Sequence, residues 1–382
     1  MTRTLVMALA TACIASLAAG ATTAPSSAAP EPIKLAAILS TSGPSAPLGV
    51  PESNAVKLAE REINAHGGIN GRPVQFDIVD DGAKADVAAQ LATQMIASGH
   101  VAIFCGTRTD TSAAVARVTA AANVLQVYTT PTESLWRSPR GGVAKNVFQV
   151  NPRDQLEAIS LLSFAKSRLH AKNVAILHDE NLYGSGGATI AGAEAKALGI
   201  NVVAQESYPG TATDFTPQIV KLRGAKPDAV VLWGATTTPG LAIKAARTLG
   251  LNVPILGSSG ILSPAILNVA GGGAAGEVYS ASPLAGAPSA EQRAFASLYD
   301  KEYHQPIVSF AANGWDAVQI IFAALREAKG KTDGRSLASA LEAGKELPLV
   351  DGTYKFSPSD HNGLVPGDVH IAKANNGTWG SP

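Results

Sequence analysis

Short apolar runs alternate along the chain with longer segments whose apolar residues recur every three or four positions. The runs at 33–39 (interrupted by Lys34), 74–79, 101–104 and 124–127 are too short for helices and too continuous for strands with one wet face. They predict strands buried on both sides. Residues 49–65 carry Ala55, Val56, Ala59 and Ile63 on one helical stripe, which Gly67-Gly68 stops. Residues 84–98 place Val87, Leu91 and Met95 on one side, and 110–122 read as a third helix. Such alternation means a parallel sheet covered on both faces. Its crossovers are right-handed, so the loops emerge at one end of the sheet.

A second series follows the run at 147–150. Helices are predicted at 152–168, 183–198, 214–222 and 238–249, with strands at 173–178, 201–205, 229–233 and 253–256. Two sheets account for so many strands. Beyond Gly271-Gly272-Gly273 come helices at 290–303 and 310–328 with few strands between them, and the first sheet is the surface they are expected to cover. The chain ends in hairpin-like pieces at 352–356 and 369–372, with Asn362-Gly363 and Asn376-Gly377 as turns. The expected fold class is α/β, with two doubly wound parallel-sheet lobes. Lobe one is expected to hold 33–152 plus 281–349, and lobe two 153–280 plus 350–382. A chain that crosses between lobes more than once has a multi-stranded hinge.

The start of the chain reads differently. Arg3, an apolar run from Leu5 to Ala19 and a small-residue tract to Pro30 make an export signal and flexible leader over 1–30. Ala19-Gly20-Ala21 is a passable cleavage site, and Cys13 after Ala10-Thr11-Ala12 is a poor alternative for lipoprotein anchoring. The run is short and diluted for a membrane anchor, so the mature chain is expected to begin between residues 21 and 31, outside the cytoplasm. Removing the signal takes Cys13 and leaves Cys105 alone, which excludes an internal disulfide and a cysteine-built zinc site. Cys105 ends an apolar run and reads as a buried hydrophobe.

Composition narrows the function. With 382 residues, 46% apolar and only 16% charged, the chain can bury two cores. Lys+Arg 30 against Asp+Glu 30 leaves no basic excess, so nucleic acid is excluded as a partner. The seven histidines have no paired metal spacing, and Gly257-Ser258-Ser259-Gly260 is not a nucleophile elbow. Gly184-x-Gly186-x-x-Thr189 superficially suggests a dinucleotide fingerprint. It fails because the first glycine stands six residues past the strand and the last position is Thr. No enzyme activity and no cofactor are expected.

Several ordered stretches carry a resemblance. They are Lys34-Leu35-Ala36 leading to Thr41-Ser42-Gly43-Pro44, then Glu62-Ile63-Asn64-Ala65-His66-Gly67-Gly68-Ile69-Asn70-Gly71, and Asp80-Asp81. Leu177-His178-Asp179 with Tyr183-Gly184, Asp214-Phe215 and Asn313-Gly314-Trp315-Asp316-Ala317 continue the series. From 33 to 372 the chain resembles the branched-chain amino acid (Leu/Ile/Val) binding proteins of ABC importers, with the type I periplasmic binding protein fold. The resemblance implies three hinge crossings, a monomer in the periplasm, capture of a small solute between the lobes and delivery to a membrane permease. A binding protein of the same fold that reports to a membrane receptor is the alternative.

For the site, residues and resemblance meet. The loop 105–111 joins a buried strand to a helix start, where free N–H groups suit a carboxylate. Thr109 matches the family's carboxylate-holding hydroxyl, with N-capping as the competing role for Thr109 or Asp110. Arg108 has no family role and is either solvated or forked onto a carboxylate. After the next strand the family uses a backbone carbonyl and a hydroxyl. Thr130 lies in that loop, and Thr132 matches the hydroxyl. Tyr183 matches the tyrosine that closes over the ligand from the second lobe. Ser259 stands where the amino acid binders carry the glutamate that neutralises the ligand's ammonium. Leu48 replaces a tryptophan, and Ala235-Thr236 replace an aromatic pair. Glu133 or Asp110 is left to supply the missing charge. The ligand is thus either an amine-free carboxylate with an apolar body or a hydrophobic amino acid, and a neutral amide or polyol if no acid binds.

Overall fold

A computed structural model describes residues 30–138 and 142–382. The expected export signal, with Cys13, lies outside the described residues. The chain runs β1 (Ile33–Leu39), α1 (Ala46–Ala65), β2 (Val74–Asp80), α2 (Ala85–Ala97), β3 (Ala102–Cys105), α3 (Thr109–Ala122), β4 (Leu125–Tyr128) and β5 (Val147–Gln149). Then follow α4 (Asp154–Arg168), β6 (Asn173–Asp179), α5 (Leu182–Ala197), β7 (Asn201–Tyr208), α6 (Thr216–Gly224), β8 (Ala229–Trp233), α7 (Thr238–Thr248), β9 (Ile255–Gly257), α8 (Pro264–Val269) and β10 (Val278–Ser282). The last part holds α9 (Ala290–Tyr303), α10 (Ser309–Glu327), α11 (Gly334–Glu342), β11 (Leu347–Pro348), β12 (Thr353–Tyr354), β13 (His370–Asn375) and β14 (Thr378–Gly380).

The first sheet has the order β2-β1-β3-β4-β5, all parallel. Its strands are apolar on both faces because both are covered. Leu35, Ala37 and Leu39 of β1 share a core with Phe104, Val127, Phe148 and the α10 residues Val318, Ile321 and Phe322. The alternate residues Ala36 and Ile38 pack with Ile103, Cys105, Ala88, Ala92 and Val115 on the other side. The chain returns to this sheet late. Helix α10 lies against α1 closely enough that a Cβ on Gly314 would sit 2.9 Å from Glu52 Cα.

The second sheet has the order β14-β13-β10-β9-β8-β6-β7, and only β13 runs against the others, pairing antiparallel with both β10 and β14. Leu177, Val230 and Leu232 face Ile219, Leu222 and Ile243. Val174, Ile176, Val231 and Trp233 face Leu161, Leu162 and Ala191. This is a doubly wound α/β arrangement in two sheets.

The chain passes between the sheets three times: from β5 to α4, from β10 to α9, and between α11 and β13. The third passage is bound to the first sheet's edge. The Gln149 N–H donates to the His361 carbonyl at 2.9 Å, and Asn362 Nδ2 donates to the Asn151 carbonyl at 2.8 Å. Strand β10 and helices α8 and α11 were not expected; β10 reads Val-Tyr-Ser-Ala-Ser, too mixed for an apolar run. Asn376-Gly377 does turn a hairpin, β13–β14, with φ of 48° and 86°. Asn362-Gly363 does not, because β12 pairs with β11 instead.

Candidate functional site

The C-terminal ends of both sheets face one cleft of about 610 Å³, counting its open mouth. The loop after β3 contributes Thr107, Arg108 and Thr109, and the loop after β4 contributes Thr129, Thr130 and Pro131. From the second sheet come Asn181, Leu182 and Tyr183 after β6, Ala235 and Thr236 after β8, and Ser259 and Gly260 after β9. Asn151 lines it from the first crossing, and the start of α10 adds Ser309, Phe310 and Asn313.

Three wall residues hold a left-handed backbone without being glycine: Thr107 (φ 69°), Asn151 (φ 74°) and Thr236 (φ 70°). For a β-branched threonine this is strained, and it persists only where neighbours enforce it. Thr107 shows how. Buried Glu52 of α1 accepts the Thr107 N–H at Oε1 (3.1 Å), the Thr107 hydroxyl at Oε2, and the Thr129 hydroxyl at Oε1 (2.7 Å). One carboxyl thus ties both first-sheet loops together. Burial pushes Glu52 up to about 7; the Thr107 and Thr129 hydrogen bonds pull it down, and nearby Asp81 pushes it further up.

Thr109 begins α3 on the cleft wall, with its Oγ1 3.4 Å from that of Thr132. The extended Arg108 is the N-cap residue, and its side chain makes no capping bond. Asp110 accepts the Thr111 N–H at 3.1 Å, so the N–H groups of Thr109 and Asp110 remain at the helix start. Thr130 is buried on the wall, and its Oγ1 has no partner among the described residues. Arg108 lines the cleft with its fork engaged: Nε and Nη2 reach Asp110 Oδ1 and Oδ2 at 3.0 and 2.9 Å. On the opposite wall, Tyr183 Oη accepts the Gly260 N–H at 3.3 Å. Thr236 and Ser259 line that wall as well.

Two expected residues stand elsewhere. Leu48 lies in the first turn of α1, which starts at Ala46, and its side chain is wholly buried away from the cleft. Thr132 sits behind the wall, its hydroxyl beside Thr109 and its carbonyl accepting from Tyr128 Oη at 2.9 Å. Glu133 is an ion pair with Arg153 at 3.6 Å. Cys105 is free, and burial raises its thiol far above the ordinary range, which keeps it un-ionised. The glycines of the failed fingerprint serve packing. A Cβ on Gly184 would meet the Asp179 carbonyl at 2.1 Å, and one on Gly187 the Trp233 indole at 1.9 Å.

Sequence reasoning missed two acids behind the second wall. Glu157 of α4 accepts the Ser259 N–H at 3.0 Å through Oε2, and its Oε1 has no partner among the described residues. Burial first, and then neighbouring Asp154, hold Glu157 well above the usual carboxylate range. Burial likewise raises Asp154 to about 7, opposed by nearby Thr132 and aggravated by Glu133. Among the described residues no cluster of His, Cys, Asp or Glu is placed to hold a metal ion.

A model of the family described as "Periplasmic binding protein" matches residues 32–378. The chain belongs to the periplasmic binding protein family. Within it, the chain is 27% identical to Leu/Ile/Val-binding protein homolog 3 of Brucella melitensis, over 90% of this chain and 92% of that one. It is 28% identical to a Leu/Ile/Val-binding protein of Rhizobium johnstonii, over 85% and 87%. A solute-binding protein of an ABC transporter from Rhodopseudomonas palustris, solved with 3,4-dihydroxybenzoic acid, superposes with a TM-score of 0.76 at 25% identity, covering 89% and 92%. This periplasmic binding protein is therefore an extracytoplasmic solute-binding component of the ABC-importer kind, a carrier and not an enzyme.

Proposed function

We propose that the cleft captures a small solute built as a carboxylate on an apolar body, a hydrophobic amino acid or a related organic acid, for a membrane permease. The observation that carries this reading is the unpartnered, buried Thr130 hydroxyl on the wall beside Thr109 and the start of α3. A buried hydroxyl without a partner is costly, and a ligand oxygen relieves it. The unengaged N–H groups of the α3 start add a favourable dipole for an anion. Leu182, Ala235 and Phe310 give the otherwise polar lining an apolar surface for the ligand's body. Relatives named for leucine, isoleucine and valine, and the neighbour holding an aromatic acid, fit both ligand types.

Capture proceeds by closure of two lobes, roughly 33–152 plus 281–349 and 153–280 plus 350–382, about the three crossings. A ligand shifts that equilibrium only by its preference for the closed form. The test is a thermal-shift screen pairing each hydrophobic amino acid with its 2-keto acid and with benzoic acids, followed by calorimetry. Thr130→Val is expected to weaken the best ligand about tenfold, the size of one buried hydrogen bond. A panel in which no acid binds, or a Thr130→Val variant with unchanged affinity, sinks the reading.

A further inference from the structure

A second groove lies beside the cleft, and Ser309 is the one residue that lines both among the described residues. The groove is the larger, about 1330 Å³ against about 610 Å³, each counting its open mouth. One side is α9 and the loop from it to α10, which pack on Ala55 and Leu58 of α1. The other is the segment after β9 together with β13 and β14 of the second sheet. The crossing from β10 to α9 adds Leu284 and Ala285.

The lining is mainly apolar, with one charge. Leu262, Leu284, Ile307, Val308 and Trp379 supply hydrocarbon from both sides. Arg293, exposed on α9, is the one charged residue among the described residues that line the groove, and no acid lines it with Arg293. Its Nη1 donates to the Pro288 carbonyl at 2.6 Å, which steadies the guanidinium without neutralising it. Most polar side chains of the lining bond within the protein. Gln292 Nε2 donates to the Pro283 and Val350 carbonyls, Ser282 Oγ accepts the Leu284 N–H, and Ser381 Oγ donates to the Ala285 carbonyl. Trp379 is the exception. Its ring packs against Leu262, Ala285 and Ala372, yet its Nε1 is buried with no partner among the described residues.

A buried indole N–H without an acceptor costs free energy, and a guanidinium with no acid beside it attracts an anion. One cation, no acid, one spare N–H and an apolar remainder match a carboxylate carried on an apolar body. The greater volume suits a body larger than a solute enclosed in the cleft. We propose that this groove is a second ligand site, taking an amphiphilic carboxylate such as a medium-chain fatty acid. Arg293 and Trp379 Nε1 are its donors, and Leu284, Ile307 and Val308 carry the hydrocarbon. The site does not rest on the reading of the cleft, because Arg293 stands on α9 and Trp379 on β14, and neither lines the cleft.

The test titrates octanoate into the protein labelled with 5-fluorotryptophan. Trp379 is one of four tryptophans, and Trp379→Phe assigns its fluorine signal. Trp233 reports on the cleft, since its ring centre lies 6.4 Å from that of Tyr183 on the cleft wall. Octanoate is expected to shift the Trp379 signal saturably and to leave Trp233 in place. In calorimetry, octanol keeps the body without the charge and is expected to bind about tenfold more weakly than octanoate. Arg293→Gln is expected to weaken octanoate by about the same factor, and Trp379→Phe, which keeps a ring and removes the N–H, by about fivefold. No shift at Trp379, a shift confined to Trp233, or octanol binding as tightly as octanoate overturns the proposal. So does an Arg293→Gln variant with the wild-type unfolding midpoint and unchanged octanoate affinity. Should that variant be unstable, the comparison of octanol with octanoate on wild type decides. Each of these failures leaves the solute reading of the cleft standing.

Discussion

Behind the first-sheet wall, Glu52 is buried but answered: the Thr107 N–H and two threonine hydroxyls occupy its oxygens. Behind the second-sheet wall, Glu157 receives one N–H, and Asp154 meets no donor at hydrogen-bonding geometry. All three carboxyls are pushed upward by burial, yet only the first is built into its surroundings. The first carboxyl fixes loop geometry, including the strained Thr107, before any ligand arrives. The second pair leaves polar capacity unmatched next to the cleft, where a ligand could use it. Preorganisation on one side and unmet polar groups on the other suit a protein that must hold its empty site in shape and gain free energy on closing.

The largest expected effect is on stability against pH, because both kinds of carboxyl share its sign. Glu52 moves from 4.5 to about 7, and Asp154 from 3.8 to about 7. Between those values the folded protein keeps a proton that the unfolded chain has released. The stability contributed by these two groups is then greatest below about pH 4, falls as pH rises toward 7, and levels off above it. The loss is about 3 kcal/mol for Glu52 and about 4 kcal/mol for Asp154. Chemical unfolding of the ligand-free protein at pH 5 and pH 8 should show the difference, and Asp154→Asn should remove part of it. A flat profile would mean that water or rearrangement relieves these acids, and the contrast between the walls would lose its basis.

The two walls were unequally legible in the sequence. Strands β1, β3, β6 and β8 were plain because sheets covered on both faces demand continuous apolar runs. The loops after them followed from where parallel strands end, and the family resemblance then singled out Thr109, Tyr183, Thr236 and Ser259 within them. Glu52, Asp154 and Glu157 were not legible. Each lies in a helix whose polar residues look like a solvated face, and only the close packing of α1 under α10 and of α4 under the second sheet buries them. Leu48 misled for a related reason: alignment to a tryptophan position says nothing about where α1 begins.

A middle-sized effect separates structural from functional acid. Glu52→Ala should cost about 3 kcal/mol at pH 5, because it opens a cavity and strands the Thr107 N–H and two hydroxyls. Glu52→Gln keeps the shape and part of the bonding and should cost about half as much. Unfolding midpoints of both variants check this. Equal and negligible losses would show that the strained Thr107 turn stands without its clamp.

The smallest effect is the most discriminating, since it compares neighbours on one loop. Thr129 donates its hydroxyl to Glu52 Oε1 at 2.7 Å, whereas the Thr130 hydroxyl, one residue on, has no partner among the described residues. Valine preserves the shape of either side chain and removes only the oxygen. Thr129→Val leaves a buried carboxyl short of a donor and should destabilise the ligand-free protein by about 1–2 kcal/mol. Thr130→Val removes a desolvated group that bonds to nothing, so it should leave stability unchanged or raise it by up to about 1 kcal/mol. The order should reverse in binding: Thr130→Val weakens the ligand, while Thr129→Val acts on affinity only as far as it loosens the loop. If both variants destabilise the empty protein alike, the Thr130 hydroxyl already has a partner such as ordered water. The first wall would then be as complete at Thr130 as it is at Glu52, and the carboxylate would have to displace that partner to bind.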